Sequence, residues 1–117
     1  MKEYMLLFRG GREQMEAASP EQSQAHLQLW INWMKKLGEE GKFVGAQPLN
    51  KEGKTVSSPK KVISDGPFME GKEMVGGYLI CKANTIEEAV VISKGCPLLE
   101  SEDGVVEVRE IQELKMD

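Results

Sequence analysis

Apolar positions near the start of the chain change their period once. Tyr4-Met5-Leu6-Leu7-Phe8 is an unbroken apolar run bounded by Arg9-Gly10-Gly11, which predicts a short, buried central strand. The polar stretch from Gly10 to Ala18 predicts a connecting loop with room for a helical turn. At Ser19-Pro20-Glu21-Gln22 the chain carries a helix start. Ser19 is placed to cap, Pro20 suits the first helical position, and Gln22 completes a capping box. Behind it Leu27, Trp30, Ile31, Met34 and Leu37 recur at three- and four-residue spacing, giving one apolar stripe. Gly41 supplies the stop.

Beyond this helix the period returns to that of strands. Phe43-Val44-Gly45-Ala46 predicts a short strand, and Pro48 to Gly53 a turn-rich connection. Thr55-Val56-Ser57 and Lys61-Val62-Ile63-Ser64 form either a hairpin around Ser58-Pro59-Lys60 or one strand broken by the proline. The pattern is compatible with both. Gly76 and Gly77 lead into the strand Tyr78-Leu79-Ile80-Cys81-Lys82. Thr85-Ile86-Glu87-Glu88 is a second capping box, opening a helix to about Lys94 that Gly95 and Pro97 close. From Val105 to Ile111 a last strand turns Val106 and Val108 to one face, Glu107 and Arg109 to the other. The order β-α-β-(extra β)-β-α-β predicts an α+β fold, an antiparallel sheet with both helices on one face. The opposite face then lacks cover within one chain. A second copy is the expected partner, because a two-fold interface is self-complementary.

Composition narrows the setting. A chain of 117 residues fits one domain, 1–117, with one core. Hydrophobic residues at 40% and charged residues at 29% are those of a folded globular protein. A net charge of -4 argues against nucleic-acid binding, which needs excess Lys and Arg on one face. The start Met-Lys-Glu leads directly into a strand, without the charged and apolar regions of a secretory leader. The apolar run Tyr4–Phe8 falls far short of the ~20 residues of a membrane span. A cytoplasmic protein with Cys81 and Cys96 as free thiols is the expectation. Cys81 packs in a strand, while Cys96 follows a helix and is expected to point away. With one His and two separated Cys, no zinc-ligand spacing exists, and neither a metal nor a cofactor is expected. Gly10-Gly11 is not a phosphate loop, since the Lys-Ser/Thr pair and wider glycine spacing are missing.

Asp65-Gly66-Pro67-Phe68 is the most distinctive run. Asp accepts backbone N–H bonds, Gly permits positive φ and Pro fixes the chain direction, so a specific turn follows. The run either forms an Asx-type turn with Phe68 anchored in the core, or projects a carboxylate and a phenyl ring into a pocket. Glu70-Gly71-Lys72-Glu73 then forms a solvated bend or a lid. The stretch Asp65-Gly66-Pro67-Phe68-Met69-Glu70-Gly71-Lys72-Glu73, followed by Gly76-Gly77-Tyr78, resembles the signature of the DGPF-type branch of the YCII-like proteins. The similarity runs nearly end to end, through Tyr4-Met5-Leu6-Leu7, Ser19-Pro20-Glu21, Gly95-Cys96-Pro97 and Val106-Glu107-Val108-Arg109. Met69 departs from the alanine usual there. The resemblance implies a ferredoxin-like β-α-β-β-α-β antiparallel sheet that pairs as a dimeric α+β barrel. It also implies an enzymatic role, proposed for the family on a characteristic His and Asp. Relatives of that barrel architecture include small isomerases, monooxygenases and dehalogenating enzymes acting on compact, often aromatic molecules.

His26 is the only histidine. At 100° per residue it lies beside Trp30, Trp33 and Leu37 at the edge of the apolar stripe. An imidazole there keeps one nitrogen toward a polar partner, and imidazole suits proton transfer near neutral pH. In some relatives the helix His falls one turn later, where Trp30 stands here. Trp30 and Trp33 read as core, interface or ligand platform. Tyr78 is a candidate phenol at a cleft, and Arg9 and Arg12 are candidate anion holders. Two functions stand side by side. One is a cofactor-free enzyme acting on a compact organic substrate, with His26 and Asp65 as acid–base partners and Trp30, Phe68, Tyr78 and Arg9 around the substrate. The other is a non-catalytic, small-molecule-binding or regulatory homodimer. RNA binding fails on the acidic charge and the lack of a basic-aromatic strand motif.

Overall fold

The computed structural model describes residues 1–68 and 74–115. Its elements, in chain order, are β1 (Lys2–Arg9), α1 (Arg12–Ala17), α2 (Pro20–Glu39), β2 (Phe43–Pro48), β3 (Lys54–Ser57) and β4 (Val62–Asp65). They continue with β5 (Val75–Ala83), α3 (Ile86–Ser93), a 3-10 turn (Pro97–Glu100) and β6 (Val105–Glu110). The fold is α+β. Four strands form an antiparallel sheet in the order β2-β5-β1-β6, and β3 and β4 form a separate two-stranded ribbon.

The opening apolar run becomes the inner strand β1, paired on both sides. Leu6 stands opposite Leu79 of β5 and Val108 of β6, and Tyr4 opposite Cys81. Period-two alternation sorts the side chains. Tyr4, Leu6, Phe8, Leu79, Cys81 and Ala83 are buried on one face, with Val106 and Val108 packed against them. Trp33 and Leu37 of α2, Ala89 of α3 and Leu98 of the 3-10 turn close this core. Met5, Leu7, Tyr78 and Ile80 point to the other face and are only half-buried.

Helix α2 begins with the capping box its sequence predicts, whereas α3 forms only the Thr85 half of its own. The Ser19 hydroxyl accepts from the Gln22 N–H at 3.1 Å while the Gln22 side chain accepts from the Ser19 N–H at 2.9 Å. At α3 the Thr85 hydroxyl accepts from Glu88 N–H at 3.2 Å, and the Glu88 carboxylate reaches the N–H of Asn84. The apolar stripe of α2 needs correction. Trp33 and Leu37 are buried and Trp30 and Met34 half-buried, but Leu27 and Ile31 are exposed. Residues 30, 33, 34 and 37 share one helix face, whereas Ile31 stands about 100° away from Trp30. Only the C-terminal half of the stripe reaches the sheet.

Two connections left open by the sequence take a definite form. The stretch expected as a loop after β1 holds the regular helix α1, with Ala18 N–H closing on Met15 O. The open choice around Pro59 resolves to a hairpin, with Val56 opposite Ile63 and both exposed. Among the described residues no helix is long and apolar enough to cross a membrane.

Candidate functional site

At the C-terminal end of β1 the chain must turn sharply to start α1. Gly10 and Gly11 take φ of 85° and 77°, a region that costs other residues dearly. The turn is pressed against the segment before β6. A Cβ at Gly10 would stand 2.1 Å from the Asp103 carbonyl oxygen, and one at Gly11 2.8 Å from Leu98 Cδ1. Gly11 N–H donates to Asp103 Oδ1 at 2.9 Å. This elbow sets α1 apart from the sheet and leaves a space beneath it.

That space is a cavity of about 790 Å³ between α1, α2 and the glycine end of β5. Its apolar wall is formed by Phe8, Met15, Leu27, Trp30, Met34 and Met74. Polar side chains stand at Arg12, Glu13, Glu16 and Asp103. Gly77 keeps one side bare. A Cβ there would lie 3.0 Å from Gln47 O and 3.6 Å from Phe8 Cδ2, so a larger residue would press on this wall. Leu27, exposed on α2, finds its place at this cavity and not on the sheet.

The aromatic wall is braced by edge-to-face contacts. Phe8 and Trp30 centroids lie 5.1 Å apart at 74°, and Trp30 and Trp33 5.7 Å apart at 74°. Such pairs fix ring orientation. Trp30 is further held by its indole Nε1–H, which donates to His26 Nε2 at 2.9 Å. This occupies the Nε2 lone pair, so the neutral ring carries its proton on Nδ1.

Residues 3–115 match the family model of the YCII-related domain. The chain belongs to the YCII-related family. No curated protein matches it.

In this YCII-related domain the residues singled out from sequence fall into separate places. Trp30 borders the cavity, whereas Tyr78 meets it only along the strand and turns its side chain to the opposite face of the sheet. His26 sits one helical turn from Trp30 and is bonded to it. Arg9 forms a 2.6 Å ion pair with Glu107. Asp65 ends β4 with its side chain 91% exposed, and Lys54 Nζ donates to its Oδ1 at 2.7 Å. The two candidate acid–base groups thus have different partners on different elements. Gly66, at φ 91°, supplies the turn expected after Asp65, its N–H donating to Gly53 O at 2.6 Å. Phe68 is 74% exposed and is not a core anchor. The bend or lid expected at Glu70–Glu73 lies outside the described residues.

Several cavity residues carry no sequence signal of their own. Phe8 reads as core, Gly77 as the lead-in to a strand, and Asp103 as part of a polar loop. Only the turn geometry joins them. Cys81 and Cys96 are both buried and both free thiols, as expected. Burial pushes the Cys81 thiol up and the Cys96 thiol up to about 12, so both are poor nucleophiles near neutral pH. Among the described residues no group of three or more His, Cys, Asp or Glu could hold a metal ion.

Proposed function

We propose that this YCII-related protein is a small-molecule-binding homodimer of the DGPF-type branch, whose ligand occupies the cavity under α1. The observation that carries the reading is the cavity itself. Its volume of about 790 Å³ lies within the range of small-molecule sites, roughly 300–1,000 Å³. Its wall is mostly apolar, with a few polar groups at the margin, as ligand sites are. The strand order β2-β5-β1-β6 supports a ferredoxin-like arrangement. The half-buried apolar residues Met5, Leu7, Tyr78 and Ile80 support pairing of two such sheets into a dimeric α+β barrel.

The enzymatic alternative, with His26 and Asp65 as acid–base partners, draws less support. A general acid or base works within hydrogen-bond reach of the proton it moves. Here Asp65 is bonded to Lys54 on the exposed ribbon, and His26 Nε2 is occupied by Trp30.

Methionine-methyl NMR tests the binding reading, because Met15, Met34 and Met74 border the cavity while Met1 and Met5 do not. Titration with compact aromatic compounds should move the three cavity methyls. Ala46→Phe, which fills the space from β2, should abolish the shifts. Shifts confined to Met5 would place the ligand on the open sheet face and overturn the reading.

A further inference from the structure

The charges around the cavity are not equally available. Asp103 accepts the Gly11 N–H through its Oδ1 at 2.9 Å. Glu16, one turn on from Arg12, stands 3.9 Å from Lys51 Nζ. Glu13 is exposed in the first turn of α1, and adjacent helix positions do not face each other. Arg9, the other arginine of this region, is held by Glu107 at 2.6 Å. Arg12 differs from all of these. It is half-buried at the cavity wall, its Nη2 lies 4.0 Å from where a Cβ of Gly76 would stand, and among the described residues no carboxylate comes within 4.0 Å of it.

A partly desolvated guanidinium with no counter-charge among the described residues is a demand for an anion. Its planar fork matches a carboxylate with two parallel hydrogen bonds, which are stronger than neutral ones. The apolar wall of Phe8, Trp30 and Met34 lies on the same cavity. We infer that the cavity takes compact apolar carboxylates, the hydrocarbon part lying against Phe8 and Trp30 and the carboxylate bound by Arg12. This rests on the reading of the cavity as a ligand site and adds the class of ligand. The absence of a side chain at Gly76 leaves the guanidinium open on that side, so a ligand headgroup has access to it.

A matched pair of probes separates the two claims. Naphthalene-1-carboxylate and naphthalene-1-carboxamide share a ring system and differ in charge. Each is titrated into the full-length protein while the Met15, Met34 and Met74 methyl signals are followed. The carboxylate should bind on the order of tenfold tighter or more, the scale of one charge-assisted hydrogen-bonding interaction. Arg12→Gln should remove that preference and leave amide binding unchanged, and Arg12→Lys should restore part of it. Loss of amide binding in Arg12→Gln would mean that Arg12 shapes the cavity and does not select the charge, which overturns the inference. Equal binding of both probes by the native protein, or a preference for the amide, would also overturn it and leave the cavity reading standing. No shift of the three cavity methyls with either probe would overturn both.

Discussion

Gly10 and Gly38 show how differently two glycines of one chain are constrained. A Cβ at Gly10 would stand 2.1 Å from a backbone oxygen in a conformation with φ 85°, whereas one at Gly38 of α2 meets nothing within 4 Å. Gly10→Ala should therefore cost more than about 1 kcal/mol, the scale of an incompatible backbone. Gly38→Ala should instead gain on the order of 0.5–1 kcal/mol through helix propensity. Urea midpoints of the two variants should move in opposite directions. Cys96 makes a prediction in pH. Its thiol rises from 9.0 to about 12 in the fold, burial being the largest cause. Between those values the unfolded chain has lost the proton and the folded chain keeps it, so the contribution to stability falls as pH rises. It is fully present below about pH 9 and lost as pH approaches 12. Denaturation of the native protein and of Cys96→Ala at pH 8 and pH 10.5 should show the smaller decline in the variant. Equal declines would mean that the thiol is not shielded.

Among elements, those legible in the sequence are the ones whose signals are local. The capping box at Ser19, the inner strand at the apolar run of β1 and the valines of β6 each follow from neighbouring residues, and each stands where expected. Ser19→Ala should cost about 1 kcal/mol of stability, the usual worth of such a cap, read as a lower thermal midpoint. What the sequence did not disclose depends on the meeting of distant segments. Helix α1 has no apolar stripe and no side-chain cap. Its start is set by a glycine elbow pressed on Asp103, some ninety residues further along. The cavity inherits that illegibility, since its walls come from β1, α1, α2, β2 and β5 together. Trp30 and Tyr78 were visible as candidates because aromatic side chains are conspicuous. Met34 and Gly77 were not, because a packing methionine and a strand glycine read the same with or without a cavity beside them.

For the whole molecule, the radius of gyration is 16.0 Å and the extents are 51 × 46 × 19 Å. A compact chain of this length would have a radius of about 13 Å, so the single chain is a flattened body with much of its surface on two broad sides. The ribbon β3–β4 adds to the spread, with Val56 62% and Ile63 65% exposed. A two-stranded ribbon is marginal alone, and its amides should exchange well before those of β1 and β5. Pairing through the open sheet face predicts a sedimenting mass near twice 13.1 kDa. Ile80→Lys, which charges the centre of that face opposite Met5, should shift the population to single chains. A native protein that sediments at 13.1 kDa at micromolar concentration would overturn the pairing. The inner position of β1 carries a different consequence, for birth on the ribosome. Its partners begin only at Val75 and Val105, so at synthesis rates of roughly 5–20 residues per second the nascent strand waits several seconds before any ladder can form. During that interval Tyr4–Phe8 is an uncovered, β-prone segment. The step most exposed to misassembly is therefore the growing chain, and slower translation should lower the soluble yield even though the finished fold is unchanged.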